Sequence, residues 1–238
     1  MKIIMTIRIV FDKDTEDKNL IGGWGITYLV DNSLLFDTGE KGEYIINNFK
    51  ILNVDINKID NIFISHNHWD HLRGLEDLLK IISNKVKIWV CTDIFDELKN
   101  FNYNLIKVDN FEKIKERIYT TGCFKLNYKG RVIFEQALIL ETEKGLSIIC
   151  GCAHMGVLHL IAKVKELFPK NNIYSFVGGV HLIDTDNRLI EYIVEEIAKL
   201  GIERFYLGHC TGYQAITLFK HIYKGRAKNI YVGMEIEV

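Results

Sequence analysis

Short apolar runs closed by turn residues punctuate the chain. Ile3–Val10, Ile26–Val30, Leu34–Asp37, Asn61–Ser65, Val86–Val90, Ala137–Glu141, Leu146–Cys150, Ile173–Val177 and Arg204–Leu207 are rich in β-branched or aromatic residues, which predicts strands. Apolar positions spaced three and four apart predict helices over Tyr44–Leu52, Leu75–Ile82, Val157–Phe168, Arg188–Leu200 and Tyr213–Tyr223. Thr185 and Asp186 are candidate N-caps for the fourth of these, and Gly201 is a stop signal behind it. Strands alone fill the first part of the chain and alternate with helices afterwards. That order predicts an α/β protein with helices packed on the outer faces of sheets. The single proline, Pro169, marks no linker, and no low-complexity segment interrupts the pattern. One continuous domain over residues 1–238 is expected.

Composition narrows the function classes. Apolar residues at 48% and charged residues at 26% supply a sizeable core. A formal net charge of −1 gives no field for nucleic acid or an anionic membrane. The five cysteines, Cys91, Cys123, Cys150, Cys152 and Cys210, are odd in number and scattered, so reduced thiols are expected rather than a disulfide framework. No run reaches the ~18–20 apolar residues of a membrane span, and no cleavage site follows the N-terminus. A cytoplasmic protein acting on a small molecule is expected, with self-association left open.

The chemistry concentrates where a strand ends. Ile62-Phe63-Ile64-Ser65 runs into His66-Asn67-His68-Trp69-Asp70-His71. Three histidines and an aspartate in six residues are costly to bury unpartnered, yet at a strand exit they can converge on a cation. Neutral nitrogen with carboxylate oxygen suits zinc, iron or manganese better than calcium or magnesium. His154, His181 and His209 each follow a further strand-like run, and each sits near glycines. A shared metal site explains this repetition better than three separate structural histidines. His159 and His221 fall within helical patterns and are read as surface or packing residues.

These motifs resemble the metallo-β-lactamase superfamily: HxHxDH after a buried strand, preceded by Leu34-Leu35-Phe36-Asp37-Thr38-Gly39. The resemblance implies a four-layer αββα sandwich with the metals at one edge. It implies one or two divalent transition-metal ions, zinc first, with iron or manganese compatible. His66, His68 and His154 would hold one ion, and Asp70, His71 and His209 the other. Asp37 matches an aspartate that orients the ligand loop from behind. His181 departs from the pattern, because many members carry a bridging aspartate there and an imidazole has one lone pair. His181 is therefore expected to bind one ion, contact substrate or shape its loop, with Asp184 a candidate replacement for the bridge. Asp70 and His181 are the candidate catalytic residues.

Gly151-Cys152-Ala153-His154-Met155-Gly156, Gly178-Gly179-Val180-His181-Leu182, Gly208-His209-Cys210-Thr211-Gly212 and Glu135-Gln136-Ala137-Leu138 are similar to one subgroup of that superfamily. It contains metal-dependent hydrolases and 7,8-dihydropterin-6-methyl-4-(β-D-ribofuranosyl)-aminobenzene-5′-phosphate synthases. The resemblance implies either hydrolysis of a small phosphorylated substrate by a metal-bound hydroxide, or transfer. In the second case a pterin diphosphate joins an aminobenzene ribosyl phosphate with loss of pyrophosphate. A non-catalytic metal- or ligand-binding protein is the third reading. Trp24, Trp69 and Tyr213 are candidates for stacking on a flat ring, and Arg73 for holding a phosphate.

Overall fold

The computed structural model describes residues 4–83 and 85–238, so the Ile3 end of the first expected strand lies outside the described residues. Strands β1 (Thr6–Phe11), β2 (Thr27–Val30), β3 (Leu34–Phe36), β4 (Asn61–Phe63), β5 (Lys87–Val90) and β6 (Leu105–Lys107) build the first sheet. β7 (Glu112–Lys115) and β8 (Ile118–Thr120) open the second sheet, and β9 (Phe124–Tyr128) and β10 (Arg131–Glu135) form a separate hairpin. β11 (Leu138–Thr142), β12 (Gly145–Cys150), β13 (Ile173–Gly178), β14 (Arg204–Leu207) and β15 (Ala227–Asn229) complete the second sheet. β16 (Glu235–Glu237) returns to pair with β1 at the edge of the first.

The two sheets share one plan. The first runs β16-β1-β2-β3-β4-β5-β6 and the second β15-β14-β13-β12-β11-β8-β7. β3 through β6 are parallel, as are β12 through β15. Parallel neighbours need crossovers, and helices supply them. α1 (Gly42–Ile51), the one-turn α2 (Trp69–Leu72), α3 (Leu75–Leu79) and α4 (Thr92–Leu98) belong to the first half. α5 (Val157–Leu167), α6 (Asn187–Ala198) and α7 (Tyr213–Tyr223) belong to the second.

Three apolar clusters show how the layers stack. One joins Tyr28, Phe36 and Phe63 of the first sheet to Leu138, Ile149 and Val177 of the second, so the sheets face each other. A second packs Leu29, Leu35 and Ile62 under Ile45, Phe49 and Leu78 of the first-half helices. The third packs Ile148, Phe176 and Phe205 under Leu160, Val194 and Phe219. The result is the expected αββα sandwich. Both faces of the central strands are covered, which explains the unbroken burial of Tyr28, Leu29 and Val30.

The differences from the expected elements are local. α6 begins behind Asp186, whose carboxylate accepts the Arg188 N–H, so Asp186 is the cap rather than Thr185. Gly201 ends that region at φ +76°. β4 stops at Phe63 instead of Ser65. A disulfide joins Cys91 to Cys123, correcting the expectation that every thiol is reduced; Cys150, Cys152 and Cys210 are free and buried. No helix among the described residues is long and apolar enough to cross a membrane.

Candidate metal centre

β4 delivers the HxHxDH segment to the end of the sandwich, and Asp37, directly after the neighbouring β3, fixes it. The Asp37 carboxylate accepts the Ser65 N–H at 2.6 Å and the Ser65 hydroxyl at 2.7 Å. His71 Nδ1 lies 2.7 Å from the same carboxylate. Ser65 Oγ, having donated to Asp37, is free to accept from His66 Nδ1 at 2.8 Å. The two imidazoles are thereby held with their Nε2 atoms turned away from Asp37. Asp37 adopts φ +56°, a left-handed conformation that aspartate tolerates better than most residues.

α2 then places Asp70 and His71 on one turn. Asp70 Oδ2 lies 3.3 Å from His209 Nε2 and 3.6 Å from His71 Nε2. His209 comes from the loop after β14, where its backbone N–H donates to the buried Asp12 at 3.0 Å. Asp12 also accepts the Tyr28 hydroxyl at 2.7 Å, so the end of β1 anchors a loop of the second sheet. Gly25 is required beside this contact: its φ is +111°, and a Cβ there would fall 2.0 Å from the Asp70 carbonyl oxygen.

The other half of the cluster hangs from β12. Glu135, fully buried at the end of β10, accepts the backbone N–H groups of Cys152, Ala153 and His154 at 3.2, 2.8 and 2.6 Å. Three consecutive donors on one carboxylate shape the loop, with Ala153 at φ +60°. The His154 ring then lies 4.8 Å from that of His66 and 4.7 Å from that of His68, centroid to centroid. His66 Nε2 and His68 Nδ1 approach to 2.9 Å. The His181 ring, after β13, is 4.4 Å from His154, and its Nε2 lies 2.8 Å from the Tyr128 hydroxyl oxygen. Its Nδ1 is buried without a hydrogen-bond partner.

The charge states follow from these contacts. Burial alone would depress the His71 imidazole, but the Asp37 carboxylate outweighs it and raises the group to about 9. His68 has no such partner; burial and the nearby His154 push it down to about 4. Burial and the neighbouring His71 hold His66 well below the usual imidazole range. Burial would raise Asp70, yet the hydrogen bond from His209 keeps it below the usual carboxylate range. Burial likewise opposes ionisation of Glu135, and His154 reverses the balance.

A tetrahedral ion with nitrogen or oxygen at ~2.0–2.2 Å and sulfur at ~2.3 Å needs neighbouring donors roughly 3.3–3.6 Å apart. The Asp70–His209 and Asp70–His71 separations meet this requirement. Donor atoms of His66, Cys152 and His154 lie within 4.8 Å of one another, as do those of His71, Cys152 and His209. The residues fit a divalent transition metal in both halves. Asp184 is exposed and makes no hydrogen bond or ion pair with the cluster among the described residues, which removes it as a replacement bridge.

Glu135, Tyr128, Asp12 and Cys152 are the residues of this region to which sequence reasoning gave no role. Glu135 stands within a motif singled out above, but its partners are backbone groups, which leave no trace in composition. Cys152 could have been found by its position two residues before His154.

Residues 26–110 match the family model described as the metallo-beta-lactamase superfamily. Over 90% of its length it is similar, at 29% identity, to 89% of the 7,8-dihydropterin-6-methyl-4-(beta-D-ribofuranosyl)-aminobenzene-5′-phosphate synthase of Methanocaldococcus jannaschii. A crystal structure described as a metal-dependent hydrolase of the beta-lactamase superfamily superposes with a TM-score of 0.83 at 27% identity, covering 98% of this chain and 99% of that one. Human tRNase Z, short form, shares the fold at a TM-score of 0.63 and 15% identity, covering 97% of this chain and 98% of that one.

Proposed function

We propose that this chain is a metal-dependent transferase that joins a pterin diphosphate to an aminobenzene ribosyl phosphate. The observation that carries the reading is the meeting of the metal-ligand cluster with a cationic cavity. A cavity of about 420 Å³ is lined by His209 together with Lys13, Asp14, Tyr213 and Lys220, so two ammonium groups outweigh one carboxylate. Two lysines beside a metal-ligating histidine suit a phosphorylated substrate. The similarity to the archaeal synthase along 90% of the chain supplies the reaction class.

Divalent ions held by His66, His68 and His154 and by Asp70, His71 and His209 would supply Lewis-acid neutralisation of phosphate charge. The chain's own residues do the positioning. Trp24, whose ring lies 5.0 Å from that of His209 and 5.9 Å from the Lys13 ammonium, offers a flat face beside the metal edge. Lys13 and Lys220 approach the cavity from opposite chain ends and hold the phosphate. Tyr213, largely exposed at the cavity mouth, is free to close over a bound ring. Arg73 instead lies over Trp69, 5.5 Å from its ring, and both line a different cavity. In the transfer the amine nitrogen bonds to the pterin methylene carbon as the carbon–oxygen bond to diphosphate breaks. Pyrophosphate leaves with the electron pair, and the amine proton passes to solvent.

Hydrolysis is the second reading, favoured by the similarity to the metal-dependent hydrolase at 27% identity over nearly the full chain. Incubation with both substrates, followed by product analysis, separates the two. Pyrophosphate release that requires the amine, with the coupled product formed, is the expected result. Release at the same rate without the amine overturns transfer in favour of hydrolysis.

A further inference from the structure

We infer that the Cys152 sulfur is a ligand shared between two metal ions, taking the place of a bridging carboxylate; this rests on the metal-dependent reading above. The position of Cys152 is the starting point. Its sulfur belongs to three donor groups: with His66 and His154, with His71 and His209, and with His181 and Cys210. It lies 3.4 Å from His71 Nε2, close to the roughly 3.6 Å that sulfur and nitrogen donors span on one tetrahedral ion. The residue is buried, and its backbone N–H is held by Glu135, so the side chain is fixed between the two halves.

The neighbouring carboxylates and His181 are poorly placed to bridge, and Cys210, which shares a donor group with Cys152 and His181, is the rival sulfur that the variants below separate. The carboxylates of Asp37 and Glu135 are committed to His71, Ser65 and three backbone N–H groups. Among the described residues Asp70 pairs with His71 and His209, on one side of the cluster. His181 sets Nε2 against the Tyr128 hydroxyl, so at most its Nδ1 lone pair could serve a metal, and one lone pair cannot bridge two ions. Space for a carboxylate at the end of β13 is filled as well: a Cβ on Gly179 would fall 2.6 Å from Cys210 Sγ and 2.4 Å from the Gly151 carbonyl oxygen. A thiolate has more than one lone pair and can serve two ions, releasing its proton to solvent as the metal binds. Sulfur in the shared position favours zinc or iron over manganese.

The test uses the full chain, stripped with chelator and titrated with cobalt(II) alone, reading bound metal and near-ultraviolet absorption. Wild type is expected to take up two ions per chain, with an intense sulfur-to-cobalt charge-transfer band growing across both equivalents. Cys152→Ser should abolish the band and weaken both ions by at least about 100-fold, a floor set by the loss seen for outer partners of ligands. Cys210→Ser and Cys150→Ser should keep the band. Cys152→Asp should restore uptake of two ions without it, with circular dichroism reporting the fold of each variant. Retention of the band and of two ions in Cys152→Ser overturns the inference, as does a band that saturates at the first equivalent. Two ions bound by wild type with no band overturns it while leaving the metal reading intact. Failure of wild type to bind cobalt overturns both.

Discussion

His71 and Asp37 are joined by a 2.7 Å contact between Nδ1 and Oδ2, and both side chains are fully buried. The contact fixes which nitrogen of His71 faces the candidate metal position and how far the ring can rotate. It also ties the end of β3 to the turn that carries Asp70. Outer partners of this kind contribute 10–100-fold to metal affinity as a rule. Asp37→Asn should therefore lower metal affinity by about that factor and also lower the unfolding midpoint of the chelated protein, because the buried pair with His71 is lost. Competition against a coloured chelator measures it, and unchanged affinity would remove Asp37 from the site.

Glu135 is a positioning residue for the loop of Cys152 and His154. Replacing it with alanine leaves three buried N–H groups unpaired, each costing about 1–3 kcal/mol. Glu135→Ala is expected to lose roughly 3 kcal/mol or more of folding stability by urea denaturation. Glu135→Gln, which keeps an accepting oxygen, should recover most of the stability but weaken metal binding. A Gln variant that binds metal as tightly as wild type would confine Glu135 to a purely architectural part.

His68 makes a direct test of the cluster. His68→Ala should reduce bound metal per chain and abolish turnover while preserving the circular dichroism spectrum. Full metal content with full activity would defeat the ligand assignment.

Acid sensitivity of the metal-free chain follows from the same histidine. The folded-state value of His68 is about 4, below the ordinary 6.5, so the unfolded chain binds more protons in that interval. Its contribution to stability is complete above pH about 6.5 and is lost as pH falls toward 4. His71, raised to about 9, acts oppositely: its contribution is complete below about 6.5 and is lost as pH rises toward 9. With chelator present, the drop in melting temperature between pH 6.5 and 4 should be shallower in His68→Gln than in wild type. Identical slopes would show that His68 titrates normally in the folded chain.

The main strands and helices and the HxHxDH segment were legible because each rests on local pattern, whereas the αββα stacking was an expectation drawn from the family resemblance. Four of the five expected helices are found within two residues at each end, and the Leu75 helix stops short at Leu79. The segment from 92 to 135 was not legible, for a physical reason. Glu112–Lys115 and Phe124–Tyr128 are half-buried strands with charged or polar residues at alternate positions, and they lie at an edge or in a hairpin outside the main core. Their apolar runs are too short to stand out from loop. α4 buries only Ile94 and Leu98, too few for a helical stripe to show. The grouping of His66 with His154 follows from the facing of two sheets, which periodicity does not encode; the repeated placement of histidines behind strands and the family resemblance pointed to it. Cys152 carries no signal in cysteine spacing, because the groups beside its sulfur come from other strands and loops.

The candidate ligands leave the carboxyl ends of strands in both sheets: the His66–His71 segment after β4, His154 after β12, His181 after β13 and His209 after β14. During synthesis the first half emerges with its histidines already clustered, yet no partner from β12 or β14 exists to complete the set. Capture of the ion with full coordination is thus deferred until the second sheet has docked on the first. An ion held by this set would rivet the two halves together, since its ligands come from both.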